Sequence, residues 1–276
     1  MGIDAVTLMA MAVFEDARAS RRNAEVTRLA ALMREASSVV ALTGAGVSVP
    51  SGIPDFRSPG TGLWTRVDPM EVAHIDSFRE DPERFWSFYS ERFAALTEKE
   101  PNGAHRALAR LERRGLLDAV ITQNIDLLHR AAGSEEVVEV HGSIARCRCL
   151  ECGGFVPLAD ARARAAADPH GIPRCERCGA PLKPDVVLFG ELLPSVAMAR
   201  AEELSEGADV LLCVGSSLEV HPVAGLPLIT HGRGGKVAII TRGPTPLDDI
   251  ADVRLSGDVV EELDALLAEL DDEHRG

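Results

Sequence analysis

The chain has 276 residues, 46% of them hydrophobic, and a formal net charge of −14. This length and apolar content suit one large domain or one domain carrying a smaller one, while the negative charge argues against nucleic-acid binding through a general cationic surface. No run reaches transmembrane length, and the first residues lack the basic flank of a secretory signal. We therefore expect a cytoplasmic protein without a direct nucleic-acid or membrane partner, in which paired cysteines more often hold metal than form disulfides.

Strand-like apolar runs and helical patterns alternate along most of the chain. Apolar residues at helical spacing over 25–36 precede a buried strand at 38–43. Further strand-like runs are 118–122, 137–140, 185–189, 209–215 and 236–240, and further helical patterns are 102–114, 196–206 and the acidic C-terminal VVEELDALLAEL. This alternation predicts an α/β fold with a Rossmann-type parallel sheet covered on both faces.

Two segments interrupt the alternation and predict a second, smaller domain. The first begins as an aromatic stretch of helical character, and the second is rich in Cys, Gly, Pro and Arg. The expected organisation is an N-terminal extension over 1–24, a Rossmann-type domain of 25–58, 118–145 and 185–276, and a small domain made of a helical insertion, 59–117, and a cysteine-rich insertion, 146–184.

A glycine turn follows the first strand. Gly44, Ala45 and Gly46 would let backbone amides approach a pyrophosphate without an intervening side chain. The usual dinucleotide fingerprint is incomplete, because Val49 stands in place of its third glycine and two prolines shortly after the turn disfavour an immediate long helix. Taken alone, the turn fits a plain strand-to-loop connection equally well.

The residues close behind the turn strengthen the cofactor interpretation. Asp55, Phe56 and Arg57 offer a carboxylate, an aromatic ring and a guanidinium, which together can meet a nicotinamide ribose and phosphates. The whole stretch GAGVSVPSGIPDFRSPGTGLW, residues 44–64, closely resembles the cofactor-binding loop of sirtuins, the NAD-dependent protein-lysine deacylases. The resemblance implies that this loop folds over NAD instead of continuing as a helix.

A polar motif, TQNIDLLH, begins at the end of the predicted strand 118–122, where open parallel sheets place their ligands. It is similar to the sirtuin pattern throughout. The resemblance implies that Gln123 and Asn124 hydrogen-bond the nicotinamide ribose and that Asp126 holds the carboxamide. The implied carboxamide pocket includes Ser48, Ile53 and Phe56, with Ile125 inside the same motif. The alternative is a polar helix cap in which Asp126 serves local amides.

His141 is the candidate catalytic base among the eight histidines. It follows a predicted strand and precedes Gly142, which would allow close approach of a substrate. An imidazole near its unperturbed pKa can accept a proton from a ribose hydroxyl at neutral pH. A lone histidine at a strand end is more often structural, and it is the likeness of HGS to the sirtuin motif that favours catalysis. His74, His105, His129 and His221 are interpreted as structural or packing residues.

Two CxxCG motifs predict a metal site. Cys149 with Cys152, and Cys175 with Cys178, offer four thiolates at a spacing that suits one tetrahedral Zn²⁺ without an open position, which is a structural site. Cys147 is a possible competing ligand, although the symmetry of the pairs favours Cys149. A zinc ribbon by itself could also belong to a module that binds protein or nucleic acid.

Later segments supply further cofactor and substrate candidates by resemblance. GSSLEVHP is similar to the second sirtuin phosphate and ribose segment, which implies NAD contacts from Gly215, Ser216 and Ser217. Thr241 stands where sirtuins commonly have an asparagine that bonds the adenosine ribose, while Gly243 and the backbone near Val259 could still close around the adenine. On the family pattern, an acyl-lysine peptide adds as a strand between two segments through main-chain hydrogen bonds. These segments are Val187, Leu188, Phe189 and Gly190 on one side, and Leu218, Glu219 and Val220 on the other.

One helical stretch bears on the acyl group. Tyr89 and Arg92 stand three residues apart and so share a helix face, which also describes an ordinary amphipathic helix. Ala73, Tyr89 and Arg92 resemble residues of sirtuins that remove succinyl and malonyl groups, whereas the loop DFRSPGTGLW is more similar to that of general deacetylases. The expectation is deacetylation with added capacity for short acidic acyl groups, because a guanidinium and a phenol can hold a terminal carboxylate.

The resemblance also implies a mechanism. The acyl oxygen attacks C1′ of the nicotinamide ribose and expels nicotinamide; His141 then activates a ribose hydroxyl that attacks the resulting imidate, and water releases free lysine and O-acyl-ADP-ribose. The expected partners are proteins or peptides carrying acylated lysine. The alternatives are protein mono-ADP-ribosyl transfer and a non-catalytic NAD-binding or zinc-ribbon adaptor. Oligomeric state and protein targets have no clear sequence pattern.

Overall fold

The computed structural model describes residues 5–55, 62 and 67–272, with only the backbone described over 5–18. The first helix, α1, is Ala5–Glu35 and continues without interruption through the expected boundary at residue 24. The predicted extension therefore begins the helix that packs on the sheet, apart from residues 1–4, which lie outside the described part of the chain.

Six parallel strands form the main sheet. They are β1 (Val39–Thr43), β2 (Ala119–Thr122), β3 (Val137–Glu139), β7 (Val210–Val214), β8 (Lys236–Ile240) and β9 (Val253–Leu255). Their order, β3-β2-β1-β7-β8-β9, reverses between β1 and β7 and is that of a doubly wound Rossmann-type sheet. The predicted α/β fold is confirmed, and β9 is a strand that the sequence pattern did not predict.

Helices cover both faces of this sheet. On one face α1, α5 (Gly103–Arg113) and α10 (Val259–Asp272) bury residues such as Leu29, Leu108 and Leu266 against alternate strand residues. On the other face α8 (Ser195–Gly207) and α9 (Leu226–Gly232) pack against the remaining strand residues. Because both faces are buried, β1 and β7 are apolar at nearly every position, which explains why their runs do not alternate.

A smaller antiparallel sheet lies beside the main one. It consists of β5 (Phe155–Pro157), β4 (Gly142–Cys149) and β6 (Leu182–Val186), in that order. It shares an apolar core with α3 (Ile75–Glu80), α4 (Pro82–Thr97) and α7 (Leu158–Ala167), and the short helices α2 (Pro69–Val72) and α6 (Leu128–Ala131) complete the described helices of four or more residues. The buried aromatic residues Phe85, Trp86 and Phe93 of α4 belong to this second core.

Two sequence expectations need correction. The apolar run 185–189 was expected in the parallel sheet, but Asp185 and Val186 belong to β6, which pairs antiparallel with β4. Residues 59–117 were expected in the small domain, but α5 packs on α10 and lies in the core of the main sheet. In both cases the type of element was predicted correctly. The element that it packs against, β4 for the strand and α10 for the helix, is distant in sequence and was not predicted. The rest of the domain division stays a prediction.

Candidate active site

The loops that follow β1, β2 and β7 meet at one end of the main sheet. Gly46 N donates to Gly215 O over 2.8 Å, and Gln123 N donates to Thr43 O over 3.0 Å. The side chain of Gln123 joins the third loop, because its Nε2 donates to Ser216 Oγ over 2.9 Å. The sheet therefore gathers three of the predicted cofactor segments at its carboxyl edge, beside the point where the strand order reverses.

Glycine is required here for the loops to approach one another. A Cβ on Gly46 would lie 2.7 Å from Gly215 O, and one on Gly44 would lie 2.9 Å from the Cα of Ser216. Gly215 has φ of +62°, and its Cβ would lie 2.2 Å from Val47 N. The first explanation for these glycines is thus loop-to-loop packing of backbone, in addition to the ligand approach expected from sequence. As the prolines predicted, no long helix follows the strand in the described residues 44–55, which contain the short 3₁₀ turns Ala45–Val47 and Val49–Ser51.

A buried polar group, the sheet-end cluster, consists of Ser48, His105, Asn124 and Asp126. Ser48 Oγ donates to Asp126 Oδ2 over 2.6 Å and accepts from Asn124 Nδ2 over 3.0 Å. Asp126 Oδ1 accepts from Leu128 N over 3.0 Å. One carboxylate oxygen of Asp126 therefore accepts from a local amide, as in the alternative interpretation of Asp126 as a helix-capping residue. The other oxygen orients the hydroxyl of Ser48.

His105 was interpreted from sequence as a packing residue, yet it belongs to this cluster. Its Nδ1 accepts from Asn102 N over 3.3 Å, which leaves the proton on Nε2, 3.4 Å from Ser48 Oγ. Burial lowers the pKa of His105 to about 4. The sequence feature that could have indicated this residue is its place three positions after Asn102, where the two side chains form a capping box at the start of α5.

His129, also interpreted as packing, lies behind the cluster. Its Nε2 is 2.9 Å from Thr43 Oγ1, and its ring centroid is 4.8 Å from that of His105. Burial lowers the pKa of His129 to about 3, so both rings are neutral at neutral pH. The polar residues behind the three loops are thus uncharged apart from the Asp126 carboxylate.

His141 follows β3 at the same end of the sheet. Its Nδ1 lies 2.9 Å from the carbonyl oxygen of Gln123. A carbonyl can only accept, so Nδ1 carries the proton and Nε2 keeps a lone pair. Burial lowers the pKa of this half-buried imidazole, although the bond to Gln123 opposes the shift. The geometry and the charge state both suit a base that works at neutral pH.

Gly142 has a different role from the one expected. Its φ is +75°, and a Cβ at this position would lie 2.1 Å from the carbonyl oxygen of Asp185. The position that a side chain on Gly142 would occupy is therefore filled by the backbone of β6. The glycine instead lets β4 and β6 approach closely, and Val187 N then donates to His141 O over 2.8 Å.

The predicted peptide segments are held by different neighbours. Phe189 N donates to Ala73 O over 2.8 Å, and Ile75 N donates to Phe189 O over 3.0 Å, so main-chain bonds join Phe189 to the segment that contains Ala73. Leu218 has φ of +53°, and its N donates to Ser216 Oγ over 3.2 Å. Phe189, Gly190 and Glu219 are exposed, Val187 and Val220 are half-buried, and Leu218 is buried.

Tyr89 and Arg92 lie on α4 as the spacing predicted, in different surroundings. The Tyr89 ring packs between Phe85 and Phe93, with centroid distances of 4.6 and 5.0 Å, and burial raises the pKa of Tyr89 to about 12. Arg92 is exposed, and its guanidinium carbon lies 3.6 Å from the Phe88 ring centroid. The positive charge of Arg92 opposes the rise in the Tyr89 pKa.

The remaining cofactor candidates lie in several loops and at the start of α10. Arg254 holds the loop after β8, since it donates to the carbonyl oxygens of Thr241 and Gly243. Val259 is buried at the first position of α10, and Ser217 is half-buried beside Ser216. Ile125 O accepts from Ile144 N, Ile53 N contacts Ser48 O over 3.4 Å, and Ala45 and Asp55 are half-buried. Phe56 and Arg57 lie outside the described residues.

The four predicted metal ligands come together in the small sheet. Cys149, Cys152, Cys175 and Cys178 bring their sulfur atoms within 4.8 Å of one another, with 3.5 Å separating Cys149 Sγ from Cys178 Sγ. Four sulfurs around one Zn²⁺ would be spaced by about 3.8 Å, given Zn–S bonds of about 2.3 Å, so the set fits this ion. Cys147 is not one of the four; it is buried in the adjacent core, where burial raises the pKa of its thiol to about 12.

A doubly wound sheet with three polar loops at its carboxyl edge, next to a four-cysteine cluster, defines a dinucleotide-binding protein with a structural metal site. The model of the Sir2 family matches residues 44–222. The chain belongs to the Sir2 family of NAD-dependent protein deacylases.

Individual relatives agree with this assignment. NAD-dependent protein deacetylase 1 of Geobacillus kaustophilus is 46% identical over 240 residues, which is 84% of this chain and 94% of the relative. NAD-dependent protein deacylase 1 of Archaeoglobus fulgidus is 43% identical over 240 residues, 87% of this chain and 96% of the relative.

Solved structures of similar sequence identity have the same fold. A Sir2 complex with a p53 peptide and NAD⁺ is 41% identical, with a TM-score of 0.81, and covers 88% of this chain and 97% of that one. Sir2Tm bound to a propionylated peptide is also 41% identical, with a TM-score of 0.80 and the same coverage. Among the described helices, none has the length and apolar content needed to cross a bilayer.

Proposed function

We propose that this chain removes acyl groups from lysine side chains of proteins, with NAD as co-substrate and with nicotinamide, O-acyl-ADP-ribose and free lysine as products. The observation that carries the proposal is the tautomer of His141, whose Nδ1 is held by the Gln123 carbonyl while Nε2 remains available as a base. The same motif, residues 122–129, supplies that carbonyl and two members of the sheet-end cluster, Asn124 and Asp126, so one loop contributes to both the base and the proposed pocket. The relatives named above carry the same activity in their names.

In this proposal each residue of the site has a separate role. Gln123 and Asn124 orient the nicotinamide ribose, while Ser48 and Asp126 bind the carboxamide at the bottom of the pocket. His141 takes a proton from a ribose hydroxyl, which becomes the nucleophile toward the acyl carbon. Because burial lowers the pKa of His141, the imidazole is free of its second proton at pH 7.

The peptide is proposed to add as a strand between residues 187–190 and 218–220. The support is that Val187 N is bonded directly to His141 O, and that Leu218 N is bonded to Ser216, whose hydroxyl also accepts from Gln123 in the motif that orients His141. Recognition through amide and carbonyl groups places few demands on the peptide sequence. Two related structures are of Sir2 bound to an acetylated peptide and of Sir2Tm bound to a propionylated peptide.

The acyl range is proposed to include succinyl and malonyl groups beside acetyl. Tyr89 and Arg92 offer a phenol and a guanidinium on α4, and Ala73 is joined to the predicted peptide segment through Phe189. To bind a carboxylate, Arg92 has to leave its stacked position on Phe88. Arg92→Met should therefore reduce desuccinylation by roughly tenfold or more while deacetylation changes little, since a charge-assisted bond is lost. Equal loss of both activities would contradict the assignment.

The central test follows nicotinamide release and the fate of an acetyl-lysine peptide by mass spectrometry. The unaltered protein should release nicotinamide only with both substrates present and should yield deacetylated peptide with O-acetyl-ADP-ribose. His141→Ala should lose deacetylation by about 10²-fold or more. His231→Ala, an exposed histidine at the end of α9, is the matched control and should keep full activity.

Other outcomes of this experiment identify the alternatives. A peptide or protein that gains the mass of ADP-ribose would indicate mono-ADP-ribosyl transfer. Binding of NAD without any release of nicotinamide would indicate a non-catalytic adaptor. A His141→Ala protein as active as the unaltered one would overturn the proposed role of the imidazole.

A further inference from the structure

Lys183 is a buried cation with a full set of partners. Its side chain is 2% exposed, on β6 of the small sheet. Its Nζ donates to Val186 O over 2.6 Å, to Pro184 O over 3.1 Å and to Glu191 Oε2 over 2.8 Å. An ammonium has three N–H donors, and these three acceptors use all of them.

Glu191 extends this arrangement into the turn that follows β6. The oxygen that faces Lys183, Oε2, also accepts from Leu188 N over 2.9 Å, and Glu191 N donates to Leu188 O over 3.1 Å. The other oxygen, Oε1, lies 3.8 Å from the guanidinium of Arg148. The turn 188–191 is thus closed by a main-chain bond and by a side chain that is itself fixed by Lys183.

The pair lies on either side of the predicted peptide segment. Lys183 fixes the carbonyl of Val186, and the next amide, Val187 N, donates to His141 O. Glu191 fixes the amide of Leu188, and the next amide, Phe189 N, donates to Ala73 O. The two charged groups therefore restrain the main chain immediately before each bond that joins this segment to its neighbours.

Stability alone is a weak explanation for such a pair. Removing two charges from water costs free energy that their attraction barely offsets, and apolar residues of similar volume often replace a buried ion pair without loss. Burial lowers the pKa of Lys183, which is the sign of that cost. An apolar pair cannot supply donors for the carbonyl oxygens of Pro184 and Val186 or an acceptor for the amide of Leu188.

We propose that Lys183 and Glu191 are a positioning pair that fixes the main chain of residues 187–190 in the geometry to which the acyl-lysine peptide adds. The inference rests on the proposed function, because it takes this segment as the peptide edge. Neither residue contacts the reacting atoms, so their effect should fall on peptide binding and not on the chemical step.

The test compares Lys183→Met, Glu191→Gln and the double variant by steady-state kinetics with an acetyl-lysine peptide. Each single variant should raise the KM for the peptide by roughly tenfold, with the KM for NAD and kcat within about twofold, because a shifted edge loses oriented main-chain bonds. The double variant should regain stability, since it leaves no unpaired buried charge, but should keep the raised KM, because Met at position 183 has no donor for Val186 O. Zinc content measured on the same samples should stay at one ion per chain.

Arg22→Met is the matched control. It breaks the 2.7 Å ion pair between Arg22 and the buried Glu262, which joins α1 to α10 away from the small sheet. It should lower the melting temperature and leave the peptide KM unchanged. If Lys183→Met does not fold, Glu191→Gln decides, since it keeps the side-chain shape and an acceptor for Leu188 N.

Peptide KM values within twofold of the unaltered protein in the variants that fold would overturn the inference, as would equal increases in the KM values of NAD and peptide. An unaltered protein that fails to deacylate any peptide would instead overturn the proposed function, and this is measured before any variant is compared.

Discussion

The sheet-end cluster and the four-cysteine cluster are both preformed, but they are held together in opposite ways. In the first, hydrogen bonds between protein groups account for the arrangement, as where Ser48 bridges Asn124 and Asp126. In the second, four sulfurs converge with only weak thiol contacts between them, such as the 3.5 Å pair Cys152 and Cys175. Thiolates at this spacing repel one another without a cation.

The contrast separates two kinds of preorganisation. The sheet-end cluster should keep its geometry through changes of ligand, because its partners are parts of the sheet core. The four-cysteine cluster should lose its geometry when the metal is removed, because the free energy of metal binding is then part of the free energy of folding. Variants and conditions that affect one cluster should therefore leave the other largely intact.

The largest effect is expected from Cys149→Ser. Structural zinc sites contribute about 10–16 kcal/mol in small zinc-binding peptides, so losing a ligand should unfold the small sheet and release the ion. Metal analysis and circular dichroism measure both. Cys147→Ala, two residues away on β4 and equally buried, is the control and should retain one zinc per chain. Full zinc retention in Cys149→Ser would contradict the assignment of this ligand.

A smaller loss is expected where the three loops pack. Gly215→Ala places a Cβ 2.2 Å from Val47 N at a residue with φ of +62°, which should lower the free energy of unfolding by about 3 kcal/mol. Gly207→Ala, at the end of α8 with no atom in reach of the added Cβ, should have almost no effect. Denaturant unfolding with both variants measures the difference, and equal stability would show that the loops can separate at little cost.

Acid should weaken the sheet-end cluster first. The pKa values of His105 and His129 are lowered by burial to about 4 and about 3, so below pH 6.5 the unfolded chain binds more protons than the folded one. Stability is therefore complete above about pH 6.5 and falls by roughly 1 kcal/mol for each histidine by pH 5.5. Urea unfolding between pH 7.5 and 5 measures this loss.

His129→Gln identifies the source of the acid effect. This variant should be less stable at pH 7 but should lose less stability on acidification than the unaltered protein. An unchanged slope below pH 6.5 would show that other groups cause the acid sensitivity.

The smallest expected effect is on the pH dependence of kcat/KM. Burial lowers the pKa of His141, so the acid limb of the kcat/KM profile should have its midpoint below pH 6.5. At neutral pH kcat/KM should therefore be close to its plateau. A pH profile with saturating NAD measures the midpoint. A midpoint clearly above 6.5 would show that His141 is not the group that titrates.

The sequence was sufficient where a local pattern has one structural meaning. The strands around Val40, Val120 and Leu212 are apolar on both faces, and their alternation with helical patterns predicted a parallel sheet, while two CxxCG motifs indicated a metal site directly. The run that begins at Asp185 has the same apolar character, yet it joins the antiparallel sheet through a partner on β4. Periodicity describes burial but does not identify the neighbouring strand.

The site shows the same limit. His105 was not assigned to it because its contact with Ser48 spans 57 positions of sequence. Gly142 was correctly recognised as special, but the atom that requires it, the Asp185 carbonyl, comes from a distant strand. Motif resemblance indicated which residues matter at the sheet edge, and only the fold shows which atoms they face.

The main-chain contact of Phe189 with residues 73–75 has a further consequence. Phe189 is tied to Ala73 and Ile75 by an amide and a carbonyl, groups that nearly every amino acid supplies in the same form. Side chains at positions 73 and 189 can therefore be exchanged while these main-chain bonds stay in place. At positions 75 and 189 proline alone would remove a donor. A scaffold joined in this way can keep the course of its backbone while its side chains vary.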